Sequence, residues 1–333
     1  MKKNILICGA GGFIGGHFAQ QKIEEGHNVI CIDIKPFEYW FQISKKSKNF
    51  SFDLRDASKI KEITNSIDYI FNFACNMGGM GFIENNKAEC MLSVLINTNL
   101  LRFAHHNKIK RYFFSSSACV YNASKQNKSF IEGLKEVDAY PADPEDGYGW
   151  EKLFSERMCR HFSEDFGLET RVARYHNVYG PQGTFDGGRE KAPSAICRKI
   201  AKAKIENLPS IDIWGDGEQT RSFLYISDCL EATNLLFDSN SSEVFNIGSE
   251  EQVSINMLVE TIEKIANYKV KKNYLKNMPL GVRGRSSNNE KIKEKLNWNY
   301  KINLNEGLKH TYEWIFKCIS DPKNASFKKF QLK

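Results

Sequence analysis

Asn4-Ile-Leu-Ile-Cys-Gly9-Ala-Gly-Gly-Phe-Ile-Gly15 decides the reading of this chain. Asn4 to Cys8 reads as an apolar strand, and Phe13 to Glu25 as the helix that follows, ended by Gly26. Between them Gly9, Gly12 and Gly15 form a G-x-x-G-x-x-G loop. The first glycine permits the tight strand-to-helix turn, the second lets backbone approach a pyrophosphate, and the third lets helix and strand pack closely. The helix start at Phe13 and Ile14 then offers free N–H groups to the phosphates. Asn28 to Ile32 reads as a second strand, with Asp33 at its end. Its carboxylate suits an adenosine ribose and repels the extra phosphate of NADP, so NAD is the expected cofactor. Asp53-Leu54 follows a third apolar stretch. It either borders the adenine or is a strand end before a helix cap.

The alternation continues outward. Lys59 to Asn65 reads as a short helix, Tyr69 to Phe73 as a strand, Ala88 to His106 as a long helix, and Arg111 to Ser115 as the next strand. A helix runs from Tyr148 toward Phe166, and Thr170 to Arg174 is another strand. Ile211 to Trp214 and Ser222 to Ile226 read as short strands, and Ser254 to Ala266 and Leu304 to Ile319 as helices. Alternating strands and helices predict an α/β fold: a Rossmann-type doubly wound parallel sheet with a smaller mixed α/β lobe. Residues 1–174 form the expected NAD-binding domain and residues 175–333 mainly the substrate-binding lobe. Segments around 220–250, near Phe245-Asn-Ile-Gly248, are expected to return to the main domain. The polar tail from Asp321 to Lys333 reads as frayed.

Composition narrows the class. Of 333 residues 41% are hydrophobic, enough for a real core, and 26% are charged. The net charge of +7 comes from scattered lysines, which is weak evidence for a nucleic-acid partner and equally compatible with an anionic nucleotide substrate; no nucleic acid is expected. No run approaches the roughly 20 apolar residues of a membrane span, and the amino terminus reads poorly as a signal peptide. Nine cysteines without paired spacing do not form a disulfide framework or a zinc site, so no metal is expected and cytoplasm is the default compartment.

Ser115-Ser-Ser-Ala-Cys-Val-Tyr121 and Tyr148-Gly-Trp-Glu-Lys152 carry the chemistry. On a helix, Tyr148 and Lys152 share one face. A lysine ammonium beside a phenol favours the phenolate, which can take a hydroxyl proton while hydride passes to NAD. Ser117 is placed to hydrogen-bond that hydroxyl. Cys119, two residues on, lies at the carboxyl end of a parallel strand, where ligands bind. A lysine and the cationic nicotinamide nearby are expected to favour its thiolate. Lys191 lies in Gly187-Gly-Arg-Glu-Lys-Ala-Pro193, just ahead of a proline that suits a helix start.

With these motifs the chain resembles the NAD-dependent sugar-nucleotide epimerases of the extended short-chain dehydrogenase/reductase family, closest to their GDP-mannose 3,5-epimerase branch. The resemblance covers nearly the whole chain. It rests on the motifs above and on Asn76-Met-Gly-Gly-Met-Gly-Phe-Ile83, Trp214-Gly-Asp-Gly217, Gln219-Thr-Arg-Ser-Phe223 and Gly281-Val-Arg-Gly-Arg285. It implies that Tyr148 and Lys152 serve oxidation and final reduction at C4 of a GDP-hexose, with Ser117 orienting the C4 oxygen. Cys119 and Lys191 become the acid/base pair at the carbon centres. Arg283 faces the nucleotide diphosphate, together with Arg221. Asn177 belongs to a substrate loop, and Gly78 and Gly79 let a loop pass close to the hexose. A ketone at C4 acidifies the hydrogens at C3 and C5, so a base on one ring face and an acid on the other can invert those centres. The resemblance also implies a homodimer.

Three departures bear on the sugar pocket. Trp150 stands where relatives carry a small or aliphatic residue, Cys75-Asn76 stands where the branch has Ala-Asp, and Tyr121 to Glu136 diverges. They leave room for a modified GDP-hexose or a GDP-heptose, inverted at one centre or two. A C4-epimerase would need Tyr148 and NAD but neither Cys119 nor Lys191. A 4,6-dehydratase would want a carboxylate pair where Ala118-Cys119 stands. A non-catalytic NAD-binding regulator would be expected to lose part of the Tyr–Lys pair, and both members are present.

Overall fold

The computed structural model describes residues 1–63 and 66–321. Part of the helix expected over Lys59 to Asn65 and nearly all of the polar tail lie outside the described residues. The chain opens with β1 (Asn4–Cys8), α1 (Phe13–Glu24), β2 (Asn28–Asp33), β3 (Lys48–Ser51), α2 (Ala57–Lys61) and β4 (Tyr69–Asn72). It continues through α3 (Met80–Asn85), α4 (Lys87–Met91), α5 (Val94–His106), β5 (Arg111–Ser117), α6 (Tyr148–Phe166) and β6 (Glu169–Tyr175). Then come β7 (Val178–Tyr179), α7 (Ala192–Glu206), β8 (Ser210–Trp214), β9 (Thr220–Ser222), β10 (Leu224–Tyr225), α8 (Ile226–Asp238) and β11 (Val244–Ile247). The last elements are β12 (Gln252–Ser254), α9 (Ile255–Ala266), β13 (Lys271–Leu275), β14 (Gly284–Arg285), α10 (Glu290–Leu296) and α11 (Leu304–Ser320).

Seven parallel strands form the main sheet in the order β11-β6-β5-β4-β1-β2-β3. The order reverses at β1, which puts a crevice at the carboxyl ends of β1 and β4, where doubly wound folds bind ligands. β1 is buried from Ile5 to Cys8 without alternation, because helices cover both faces. On one face Phe18 of α1 packs with Phe71, Phe113 and Phe237 of α8. On the other, Leu100, Leu101 and Ala104 of α5 meet Cys159 of α6 and Tyr112 of β5. A separate core joins α7, α9 and α11 around Ile200, Leu258, Ile262 and Ile315. The carboxy-terminal half contributes β11 to the main sheet, paired with β6 from Val244↔Val172 to Ile247↔Tyr175.

Local differences from the sequence pattern have physical causes. The helix expected over Ala88 to His106 is two helices that meet in a tightened i to i+3 turn at Leu92 and Ser93, where the Ser93 hydroxyl accepts from the Asn76 backbone N–H at 2.9 Å. The strand expected over Ser222 to Ile226 divides into β9 and β10, and Ile226 begins α8. β3, Lys-Asn-Phe-Ser, carries a single apolar residue, so hydrophobic patterning does not mark this edge strand. Among the described residues no helix is long and apolar enough to cross a membrane.

Candidate active site

The glycine loop shapes one end of a cleft of ≈ 510 Å³. Gly9 sits at φ +83, and a Cβ on it would meet Ala74 N at 2.8 Å. A Cβ on Gly15 would stand 2.2 Å from Gly9 O, so the turn and the helix approach as the spacing demands. Gly12 caps α1 without any side-chain hydrogen bond, which leaves the first-turn N–H groups beside Phe13 and Ile14 for a ligand. Gly9, Gly12, Phe13, Ile14, Gly15, Asp33, Asp53 and Leu54 all line the cleft. Burial pushes the Asp33 carboxyl up, while the Lys35 ammonium and the backbone N–H groups of Lys35, Gly11 and Ile34 pull it back. Asp53 is held below the usual carboxylate range: burial is overcome by hydrogen bonds from Arg55, whose Nε lies at 2.8 Å. A backbone cradle that only glycine fits and a carboxylate at the β2 end suit NAD.

The other end of the cleft carries Ser117, Tyr148 and Lys191. β5 ends at Ser117, whose hydroxyl accepts from the Cys119 N–H at 3.2 Å in a 3-10 turn. α6 begins at Tyr148 and brings Lys152 one turn later; Lys152 Nζ stands 5.6 Å from the Tyr148 ring centre. Lys152 does not itself line the cleft, and its buried Nζ has no hydrogen-bond partner. Ribose hydroxyls of a bound NAD would satisfy it, a second respect in which the residues fit the cofactor.

The ionisation of this end differs from the sequence expectation. Burial pushes the Tyr148 phenol well up, with Cys75, Cys119 and Glu151 adding to it and Ser117 opposing. Lys152 is not what governs it in the free chain. Cys119 is likewise no ready thiolate. Burial and then the Glu145 carboxylate push its thiol up to about 11, against the pull of Arg285. Burial pushes the Lys191 ammonium down, while Cys119 and Cys75 hold it up. Lys191 is the N-cap of α7 with Pro193 in the first turn, so the helix start fixes its place.

Several residues named from the resemblance sit elsewhere. Arg283 pairs with Asp216 at 2.9 Å and Ser129 at 2.8 Å, outside the cleft lining. Arg221 donates to the Thr220 and Leu280 carbonyls, and burial pushes it down to about 10. Asn177, at φ +43, spends its amide on the Ser222 carbonyl at 3.1 Å and joins β7 to β9. Gly78 and Gly79 make their close approach to the Lys191 loop: a Cβ on Gly79 would meet Glu190 O at 2.5 Å, and one on Gly78 would meet Phe82 Cβ at 2.8 Å. These five do not line the cleft in this state, and neither does Cys119. Trp150 is 44% exposed on α6 and does not line the cleft.

Sequence reasoning missed three neighbours. Cys75 lines the cleft, and its thiol is raised by burial while Lys152, a Tyr148 hydrogen bond and Lys191 lower it. Arg285 and Glu145 both reach Cys119. The Cys75-Asn76 departure was the one sequence signal for the first. Arg285 closes the Gly281–Arg285 motif, but nothing in the motif shows that it meets Cys119, and Glu145 has no local pattern to announce it.

Residues 5–248 match the NAD dependent epimerase/dehydratase family. The chain belongs to that family. It is 45% identical over 323 residues to a GDP-mannose 3,5-epimerase 1 of Oryza sativa subsp. indica, covering 97% of this chain and 84% of the relative. It is 44% identical to the GDP-mannose 3,5-epimerase of Arabidopsis thaliana, covering 96% and 84%. Among solved structures, a UDP-glucose 4-epimerase from Thermotoga maritima with UDP-glucose superposes with a TM-score of 0.85 at 26% identity, covering 95% of this chain and 99% of that one. A UDP-glucuronic acid 4-epimerase from Bacillus cereus, in complex with UDP-glucuronic acid and NAD, gives 0.78 at 26% identity, covering 94% and 99%. This epimerase-family fold is the Rossmann-type architecture the glycine loop predicts.

Proposed function

We propose that the chain is an NAD-dependent epimerase of a GDP-hexose, GDP-mannose first among them, acting at C3, C5 or both. The observation that carries this reading is that Lys191 lines the same cleft as Tyr148 while Cys119 packs in one buried cluster with Tyr148. A C4-epimerase has no use for that second pair. The two GDP-mannose 3,5-epimerases at 44% and 45% identity support the same choice.

NAD, when bound, supplies the acceptor and later the donor of hydride at C4. Gly9, Gly12 and Gly15, the start of α1 and Asp33 would hold it, and Lys152 would find its missing partners there. Tyr148 would act as the phenolate, the form that the Lys152 ammonium and the positive charge of bound NAD would favour against burial, taking and later returning the proton of the C4 hydroxyl, which Ser117 orients. With C4 as a ketone, the hydrogens at C3 and C5 become removable. Lys191, driven by burial toward the neutral amine, is the base. Cys119, kept as a thiol, is the acid on the other ring face. Asn76, Cys75 and the lobe that closes on the cleft select the sugar, and a GDP-heptose is the main rival substrate.

Five apolar side chains from α4, α5, their junction and α6 are exposed: Met91, Leu92, Leu95, Trp150 and Phe154. A second copy of the chain covering them is the homodimer proposed for this enzyme.

Incubation with GDP-mannose in deuterated water tests the function. Solvent deuterium should enter C5, C3 or both, with no net NADH. Inversion at C4 without solvent deuterium would favour the C4-epimerase, and no exchange across GDP-hexoses would reject the epimerase reading.

A further inference from the structure

Cys119 faces a carboxylate that the reaction above does not use. Arg285 Nη1 lies 3.3 Å from Cys119 Sγ and 3.3 Å from Glu145 Oε2. Gln126 Oε1 fixes the other edge of the guanidinium, 2.6 Å from Nε. The Glu145 backbone N–H also donates to the Cys119 carbonyl at 2.9 Å, so thiol and carboxylate stay together at the entry to α6. The side chains of Glu145 and Arg285 are 10% and 5% exposed. Even so, Glu145 Oε1 and Arg285 Nη2 have no hydrogen-bond partner. Two idle polar atoms in a buried ion pair are a cost that a bridge built only for stability would avoid.

We propose that Glu145 is a positioning residue of the proton transfer: held to the same Arg285 guanidinium as the Cys119 sulfur, its carboxylate offsets that cation, so that Cys119 meets the sugar as the proton donor. This rests on the epimerase reading. In each inversion the Lys191 amine takes the carbon-bound proton and becomes an ammonium. The Cys119 thiol gives its proton to the enolate carbon and becomes a thiolate beside Arg285. The proton must then return to sulfur, directly from Lys191 or by exchange with water, before the next inversion. Glu145 drives that return, because its charge repels the thiolate. The ionisable groups around Cys119 are Glu145, Arg285, Arg221 from β9, Lys191 at the head of α7 and Tyr148 of α6. Glu145 is the carboxylate among them, Arg285 and Arg221 are cationic, and Lys191 becomes so once it has taken its proton. Without it, burial still opposes ionisation, but the charges left around the sulfur all favour the thiolate.

The test measures how methylthiolation of Cys119 depends on pH, read by peptide-resolved mass spectrometry on the full chain. In the wild type the thiol should titrate above the ordinary cysteine range. Glu145→Gln should move the midpoint down by about one pH unit or more, and Glu145→Asp should restore most of it. Deuterium exchange into the sugar should slow in the Gln variant and recover in the Asp variant. A wild-type thiol titrating at or below its ordinary value would overturn the proposal, even where the Gln variant does not fold. A midpoint that stays put or rises in the folded Gln variant would overturn it too. The titration needs no substrate, so wild-type chain that exchanges no GDP-hexose refutes the epimerase reading separately.

Discussion

Lys152 Nζ stands over two rings, 5.6 Å from the centre of Tyr148 and 4.7 Å from that of Phe114, buried and without a hydrogen-bond acceptor. Burial works to push its ammonium down, but Cys75 and Glu151 outweigh it, so the group stays charged. A buried charge with idle donors is held for a partner that arrives. Lys152→Met should therefore weaken NAD binding by roughly 10- to 100-fold, the worth of a hydrogen bond to a charged group. The variant removes the cation 3.6 Å from Glu151 Oε2, and burial then drives Glu151 to its neutral acid, so no unpaired charge is left and the fold should survive. Titration of the purified variant with NAD checks this, and unchanged affinity would remove the assignment.

The two proton-handling groups set opposite limits on pH. Lys191 must be neutral to take a proton, and its value is pushed down by burial, so exchange should rise with pH through that lowered value. Cys119 must be protonated to give one, so exchange should fall as pH passes about 11. Lys191→Arg keeps the cation and removes the neutral base, since guanidinium does not deprotonate. Deuterium exchange should drop by about 10²- to 10⁴-fold at every pH. A variant whose exchange recovers at high pH would show that another base does the work.

Gly15→Ala tests the cofactor cradle. Its Cβ would stand 2.2 Å from Gly9 O and 2.8 Å from Gly9 C, both backbone atoms that cannot swing aside. The turn must open, which costs stability and moves the pyrophosphate site. A lower melting temperature should come with NAD binding weakened beyond detection. Normal affinity in this variant would mean that the loop does not carry the phosphates.

What could be read in the sequence was local. The glycine loop, Asp33, Tyr148 and Lys152 each sit in a motif a few residues long, and backbone geometry carries such motifs directly to the carboxyl ends of β1, β2 and β5. The ionisation of Cys119 was illegible, because its two controlling charges, Glu145 and Arg285, lie 140 residues apart in the chain. Only the meeting of β14 with the segment before α6 creates that environment. The same holds for Gly78 and Gly79. Their spacing announces a close approach, but the partner is the Lys191 loop, which no periodicity names.

The exposed apolar side chains of α4 to α6 lead to a prediction on assembly. Leu95 and Trp150 are 42% and 44% exposed. A charge at either, as in Leu95→Glu or Trp150→Glu, would be buried unpaired if a second copy covers that surface, at a cost of several kcal/mol. Light scattering should then find a dimer for the wild type and a monomer for the variants, with each variant's far-ultraviolet circular dichroism unchanged. Wild-type monomer at micromolar concentration would reject the covered face.

Arg189 should govern catalysis without governing the fold. Its guanidinium lies 3.8 Å from the Phe82 ring centre and donates to Asn76 Oδ1 at 2.8 Å. Its carbonyl accepts from the Gly79 N–H at 3.0 Å. Side chain and backbone thus latch the loop before α7 onto the loop after β4, two residues from Lys191. The side chain is solvent-exposed, so Arg189→Ala should change stability by about 1 kcal/mol or less. The backbone bond and the Arg198 contacts to Glu190 and the Phe185 carbonyl would then hold the loop, and Lys191 would spend less time at the sugar. Deuterium incorporation should fall about tenfold, the order expected when a reacting group loses its orientation. Amide exchange should speed up across residues 76–82 and 184–191 together, because the latch joins the two segments. Faster exchange in one segment alone, or full catalysis with both loosened, would show that the latch does not position Lys191.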